Sequence, residues 1–391
     1  MVRTAGWVGA KEALARLGVR PQTLYSYVSR GRLKARPDPT DPRRSLYSEP
    51  DVERLAQRRR VGRQQDEAAT STLRGELVFL SAISTIHAGQ LIYRGVDAID
   101  LAETATLEET AGLLWKASPD IFARAKETEQ LTPPEPNTSA LALLAQLAED
   151  ADPAQGRAAW SLHLDAAAVL AGLVQAISGV TGRTDEPFHA QLARGWKSVE
   201  AANTLRRALV LLADHEFTPP TFAARITAST GASIAACALS GLTTLAGSPR
   251  GYAGVAVDRF VREAEADGAH AALRSRLAQG LPIPGFGHTA YAGADPRSPA
   301  LLESFEIPAQ HAELCLVGKE ILGLSPNVDF ALSALAARFG LTPNAPFLIL
   351  ATARCVGWMA HALEQGSEGG TIKTHMRYIG PLPRRQAWAR S

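Results

Sequence analysis

The fold of this chain is read most directly from Pro284-Gly285-Phe286-Gly287-His288 and from Asp295-Pro296-Arg297 just after it. Two glycines in so short a loop let the backbone approach a ligand closely. The histidine that closes the loop suits proton transfer, because its pKa lies near neutrality. The arginine suits a carboxylate, whose two oxygens match the guanidinium fork.

Three further runs carry chemistry-bearing residues. Asn327-Val328-Asp329-Phe330 places an aspartate just before an apolar helical stretch, as a helix cap over 330–338 or as a positioned base. Asp214-His215-Glu216 precedes Thr221-Phe222-Ala223-Ala224-Arg225. Ser248-Pro249-Arg250-Gly251-Tyr252 sets an arginine between a proline and a glycine. From Gly75 onward the apolar spacing is overwhelmingly helical, over 107–115, 158–178, 199–216, 230–247, 257–278 and 330–365. Pro133, Pro134 and Pro136 mark a loop over 131–138. The expected fold class is all-α.

The 391 residues allow two or three domains and a sizeable core. Hydrophobic residues make up 46% and charged residues 20%, the balance of a soluble globular chain. No run of 18 apolar residues and no signal-type leader is seen, so no membrane association and a cytoplasmic location are expected. Cys237, Cys315 and Cys355 stand far apart in apolar stretches and read as buried free thiols. No metal motif, phosphate loop or serine triad is present, so no metal and no cofactor are expected.

The charge is uneven. Residues 1–65 hold 15 Lys/Arg against 6 Asp/Glu, a balance of +9, while the rest holds 26 against 33, a balance of −7. A basic module on an otherwise acidic protein points to a nucleic-acid partner. Ala10–Leu17 has helical spacing and ends at Gly18; Pro21 opens a second short helix. Arg43-Arg44-Ser45-Leu46-Tyr47 fits a small β-wing, and a third helix begins at Pro50. The order Gly18-Val19, Thr23-Leu24-Tyr25, Gly31-Arg32-Leu33, Arg44 to Tyr47 and Asp51-Val52 to Leu55 resembles the winged helix-turn-helix of MerR-type and excisionase-type domains. That resemblance implies that Arg20, Gln22, Thr23 and Tyr25 line a recognition helix and that Arg43 and Arg44 meet phosphates of double-stranded DNA. The expected organisation is a module over 1–60, a linker over 61–74 and a larger domain over 75–391, with a small subdomain at about 250–345.

Over about residues 75–381 the runs quoted above, together with Gly89-Gln90-Leu91-Ile92-Tyr93-Arg94-Gly95 and Cys355-Val356-Gly357-Trp358-Met359-Ala360-His361, resemble citrate synthase. The resemblance implies a large and a small helical domain, a homodimer, and condensation of acetyl-CoA or a related acyl-CoA with oxaloacetate or another 2-oxoacid. By the same resemblance His288 is the acid and Asp329 the base. His215, Arg297, Lys373 and Arg390 hold the substrate, and Pro284, Gly285, Phe286 and Gly287 meet coenzyme A. Tyr93, Arg94, Trp358 and His361 are expected to be structural.

The chain departs from that pattern where it matters most. Arg250 stands where the family has a catalytic histidine, Lys373 replaces an arginine, and Ala292 stands where a Lys or Arg meets a phosphate. A permanently charged guanidinium can stabilise an oxyanion, or pair with Asp329 and block the site, but it cannot shuttle a proton at neutral pH. Three functions therefore follow: a condensing enzyme with Arg250 as enolate stabiliser, a DNA-binding regulator that senses a CoA ester or oxoacid, and a partner subunit in a mixed dimer with an intact citrate synthase.

Overall fold

Helix-forming residues at three- and four-residue spacing build most of the described part of this protein, together with two small sheets among the described residues. The computed structural model describes residues 6–17, 24, 27–28, 33–38, 45–53, 55–56, 79–127, 139–180, 185–291, 294–373 and 379–380. The chain divides into two units, Met1–Ser81 and Ala82–Ser391.

In the first unit strands β1 (Trp7–Gly9), β2 (Ala35–Pro37) and β3 (Ser45–Ser48) form an antiparallel sheet in the order β1-β3-β2. Trp7 pairs with Ser48, and Ala35 pairs with Tyr47. Helix α1 (Ala10–Leu17) leaves β1 directly. Val8, Ala13, Leu17, Leu24, Leu33, Tyr47, Val52 and Leu55 close over one apolar core. The chain order alone did not reveal β1. Arg20, Gln22, Thr23, Tyr25, Arg43 and Arg44 lie outside the described residues, as do residues 61–74.

The second unit opens with a meander of β4 (Ser84–His87), β5 (Gln90–Tyr93) and β6 (Val96–Asp97). Helices follow: α2 (Ala98–Thr104), α3 (Leu107–Trp115), α4 (Ile121–Glu127), α5 (Ala140–Asp150), α6 (Ala159–Ser178), α7 (Phe188–Gly195), α8 (Ala202–Leu211), α9 (Pro219–Ser229) and α10 (Ile234–Ala246). Then come α11 (Ala253–Asp267), α12 (Ala269–Ala278), α13 (Arg297–Leu302), α14 (Ala309–Leu322), α15 (Val328–Arg338) and α16 (Ala345–Glu368). Thr106 and Glu109 form a reciprocal capping box on α3, a device that contributes on the order of 1 kcal/mol.

Two helical stretches expected from periodicity are each two helices. Gly268 separates α11 from α12, and residues 339–344 separate α15 from α16. The stretch expected to be helical over 199–216 stops at Leu211, so Asp214, His215 and Glu216 lie on a loop.

Helices α6 and α16 are long and apolar enough to cross a membrane, with mean hydropathy of 1.4 and 1.3. Protein covers them instead: 61% and 83% of their most apolar windows are buried within the fold. A helix apolar on every face needs such cover. They run through the main core with Leu170, Leu173, Ile349 and Val356.

A second core gathers Val257, Phe260 and Val261 of α11, Leu273 of α12, Leu314 and Val317 of α14, and Phe330 of α15. Val328, Ala331, Leu332 and Leu335 of the same α15 belong to the main core. Helix α15 therefore has one face in each core, and Asp329 sits at the seam. Burying Phe330 contributes roughly 1.5–3 kcal/mol, and it fixes the height of Asp329 against the second core.

Candidate active site at the seam of two cores

His215 is held on its loop from both sides. Tyr93 of β5 is buried, and its hydroxyl bonds the Leu211 and Asp214 carbonyls at 3.2 and 3.1 Å. The Glu216 carboxylate accepts from the Ile86 amide at 2.6 Å, and the Ser84 hydroxyl accepts from the Glu216 amide at 2.9 Å. Glu216 adopts a left-handed backbone with φ of 54°, a conformation costly for a residue with a Cβ and held here by those two bonds. Tyr93 and Arg94 thus serve backbone: Arg94 donates to the Leu114 and Ala82 carbonyls.

The glycine loop is tied to the start of α15. The Asn327 amide donates to the Gly285 carbonyl at 2.8 Å, and the Asn327 side-chain amide donates to the Gly287 carbonyl at 2.9 Å. Gly285 has φ of +80°, and a Cβ there would meet Phe330 Cβ at 2.9 Å, so only glycine fits. Asn327 Oδ1 accepts from the Asp329 and Phe330 amides and so caps α15. The capping role considered for Asp329 therefore falls to Asn327, and the Asp329 carboxylate is released to face the site.

Three rings meet there. His215 and His288 lie 5.1 Å apart between centroids, and Tyr291 lies 5.6 and 5.0 Å from them. The Tyr291 hydroxyl is 3.1 Å from His215 Nε2. Burial, then the charges of Arg297 and Arg354, hold the His215 imidazole far below its ordinary range. Burial, then Arg250, lower His288 to about 4. Both histidines are neutral at physiological pH.

The guanidinium groups explain the field. Arg297 is buried and forks onto Asp295, with Nε and Nη2 at 2.9 and 2.8 Å from the two carboxylate oxygens. Asp295 in turn accepts from the Val328 amide, which ties the pair to α15. Arg354 is buried in the first two-thirds of α16, residues 345–360, where it is the one charged side chain. Burial, then the neighbouring Arg297, push it down to about 10. Nη1 of Arg297 and Nη1 of Arg354 are both buried with no hydrogen-bond partner among the described residues. A buried donor without an acceptor costs about 1–3 kcal/mol, more when charged, and an anionic ligand removes that cost.

Arg250 lies on a 3-10 turn, Pro249–Tyr252, after α10. Its Nη1 donates to Asp329 Oδ2 at 2.7 Å, and its Nη2 lies 2.5 Å from His288 Nε2. The Ala290 amide donates to His288 Nδ1 at 3.1 Å. Both ring nitrogens of His288 thus face donors, yet a neutral imidazole can accept at only one. The Ala290 amide is fixed by its backbone. The Arg250 side chain is 43% exposed against 10% for Asp329, so Arg250 is the partner free to leave. A Cβ at Gly251 would stand 2.6 Å from the Leu245 carbonyl oxygen, which pins the turn but not the side chain.

Of the residues expected to hold substrate, His215 and Arg297 are gathered here. Lys373 is exposed, with no hydrogen bond or ion pair to a described residue. Arg390 and Ala292 lie outside the described residues. Arg354 and Tyr291 were missed. The sequence holds one signal for Arg354: a single charged residue in the apolar stretch 345–360, one residue before the run that begins at Cys355. Trp358 and His361 serve packing and positioning. Trp358 covers Gly241, and His361 lies between Asp214 and Arg225.

Two helical cores with histidines, arginines and carboxylates at their seam define a mostly α-helical protein with a charged site between its cores. The family model for the citrate synthase C-terminal domain matches residues 72–168 and 120–375, and the chain belongs to the citrate synthase family. It is 28% identical to citrate synthase 2 of Bacillus subtilis over 364 residues, covering 80% of this chain and 96% of that protein. It is 30% identical to 2-methylcitrate synthase of Shewanella oneidensis over 366 residues, covering 80% and 95%. The solved citrate synthase of Thermotoga maritima superposes with a TM-score of 0.65 at 25% identity, covering 79% of this chain and 95% of that one.

Proposed function

We propose that this protein condenses an acyl-CoA with a dicarboxylic 2-oxoacid of the oxaloacetate type, from a resting state in which Arg250 covers the base. The observation that carries this is the pair of buried, unpartnered Nη1 atoms on Arg297 and Arg354 beside two neutral imidazoles. Two such donors suit two carboxylates, and a neutral imidazole N–H suits a ketone oxygen.

The steps follow from the residues present. The 2-oxoacid carboxylates take the orphaned donors of Arg297 and Arg354. His215 and His288 donate to the remaining oxygens. The thioester enters over the 284–287 loop and displaces Arg250 from Asp329. Asp329 removes a proton from the carbon next to the thioester carbonyl, and Arg250 turns its positive charge onto the thioester oxygen as the enolate forms. The enolate carbon bonds to the ketone carbon, and His288 passes its proton to the new alkoxide. Water then cleaves the thioester and frees CoA. Arg250 replaces the neutral donor of the family pattern with a cation, which stabilises the enolate more strongly but binds the resting carboxylate as well.

Calorimetric titration with oxaloacetate tests the pocket. Binding to the native chain that is lost in Arg354→Met supports the assignment; equal binding by both removes it.

A second reading is favoured by the Arg250–Asp329 contact and by the basic first unit. In it the occupied site senses an oxoacid or CoA ester, and residues 1–60 act as a winged helix-turn-helix on DNA. The family match begins at residue 72, so this reading rests on the first unit's own sheet, core and charge.

A further inference from the structure

We propose that Tyr291 is a positioning residue that fixes the proton of His215 on Nδ1 and so aims that N–H at the ligand. The Tyr291 hydroxyl and His215 Nε2 are 3.1 Å apart, and both residues are buried. Either atom could donate, but the surroundings choose. The Arg297 guanidinium lies 5.6 Å from the Tyr291 ring centroid, and its charge polarises the phenol toward donation. Burial holds the phenol proton in place, pushing Tyr291 up to about 12. A phenol that keeps its proton and donates it makes Nε2 the acceptor. A neutral imidazole then carries its single proton on Nδ1. His215 Nδ1 has no hydrogen-bond partner among the described residues, so that N–H is free for a ligand.

His288 is set the other way. The Ala290 amide donates to its Nδ1, which leaves the proton on Nε2 once Arg250 withdraws. The two imidazoles therefore hold opposite tautomers, each fixed from behind, and each has one N–H for the substrate. A positioning partner on the far nitrogen is how a histidine's reactive edge is usually specified. The sequence pattern did not single out Tyr291, because an isolated tyrosine in a loop reads as packing.

The identity of the ligand rests on the proposed function; the tautomer does not. The experiment is nitrogen-15 NMR of histidine-labelled, ligand-free full-length protein, with His215→Gln used for assignment, beside oxaloacetate titration of native chain and Tyr291→Phe. The phenylalanine keeps the ring contacts and removes only the hydroxyl. The expected result is a single Nδ1-protonated form of His215 in the native chain. In Tyr291→Phe an Nε2-protonated form appears and oxaloacetate affinity falls about tenfold, as for the loss of one good hydrogen bond. An Nε2-protonated His215 in the native chain, or an unchanged tautomer in Tyr291→Phe, overturns the proposal. A tautomer change without oxaloacetate binding in either chain upholds the role of Tyr291 and refutes the proposed function.

Discussion

Arg250 Nη1 lies 2.7 Å from Asp329 Oδ2, so the carboxylate at the seam of the two cores is met by a cation supplied by the protein itself. Asp329 is anchored through Asn327 and Phe330, whereas Arg250 hangs from a turn with an exposed side chain. The contact is therefore asymmetric. The carboxylate stays and the guanidinium can go.

Arg354→Lys tests the buried donors. A lysine keeps the charge but cannot keep the planar fork or its reach. Oxaloacetate affinity is expected to fall at least about 30-fold, the lower end of the roughly 2–5 kcal/mol that a broken buried charge contact costs. Calorimetry gives the affinity, and a thermal melt shifted by no more than a few degrees shows that the fold is intact. Unaltered affinity would remove Arg354 from the site.

Asn327→Ala removes the cap of α15 and the tie to Gly287 in one step. The loss of the cap alone costs about 1 kcal/mol, typically within 0.5–2. Melting temperature should drop by a few degrees, and turnover should fall more than substrate affinity, because Asp329 loses its anchor while Arg297 does not. A drop in stability with unchanged turnover would separate the cap from the chemistry.

Stability should depend on pH through neutral buried histidines. Burial is the first cause in each case: it lowers His288 and His311 from the ordinary 6.5 to about 4, and it lowers His215 further. Between pH 6.5 and 4 the unfolded chain binds protons that the folded chain refuses, so unfolding is favoured as pH falls. Their contribution is complete above 6.5 and is lost on acidification. Melting temperature measured from pH 7.5 to 4.5 should decline below about 6.5, and His311→Gln should flatten the decline. A flat profile would contradict the buried neutral assignment.

Much of this was legible in advance, and the misses have physical causes. The helices declared themselves because Ala and Leu recur at helical spacing. Helices over 257–278 and 330–365 ran together because periodicity continues across a short break. The 84–97 meander escaped because its strands are two to four residues long. His215, His288, Arg297 and Asp329 came from local motifs, and the structure brings them together. Arg354 depends on a tertiary approach of α16 to Arg297 that no spacing encodes. Lys373, which the resemblance assigns to the substrate, stands exposed.

Removing residues 1–65 tests the basic module. The +9 balance of that segment predicts that the full chain is retained on double-stranded DNA at low salt and that the truncated chain is not. Oxaloacetate binding should survive truncation. Equal DNA retention by both chains would dismiss a nucleic-acid role for the module.

The most direct measurement is oxaloacetate-dependent release of free CoA from acetyl-CoA by the native chain, Asp329→Ala and Arg250→His. Removal of the base should lower the rate by about 100-fold or more, the usual contribution of a positioned base. Replacing Arg250 frees Asp329 from its ion pair and restores a neutral donor, so Arg250→His should turn over faster than the native chain. Slow native turnover, lost in Asp329→Ala and raised in Arg250→His, is the predicted result. No CoA release by the native chain or by Arg250→His, or release indifferent to Asp329, would contradict a condensing site covered by its own arginine.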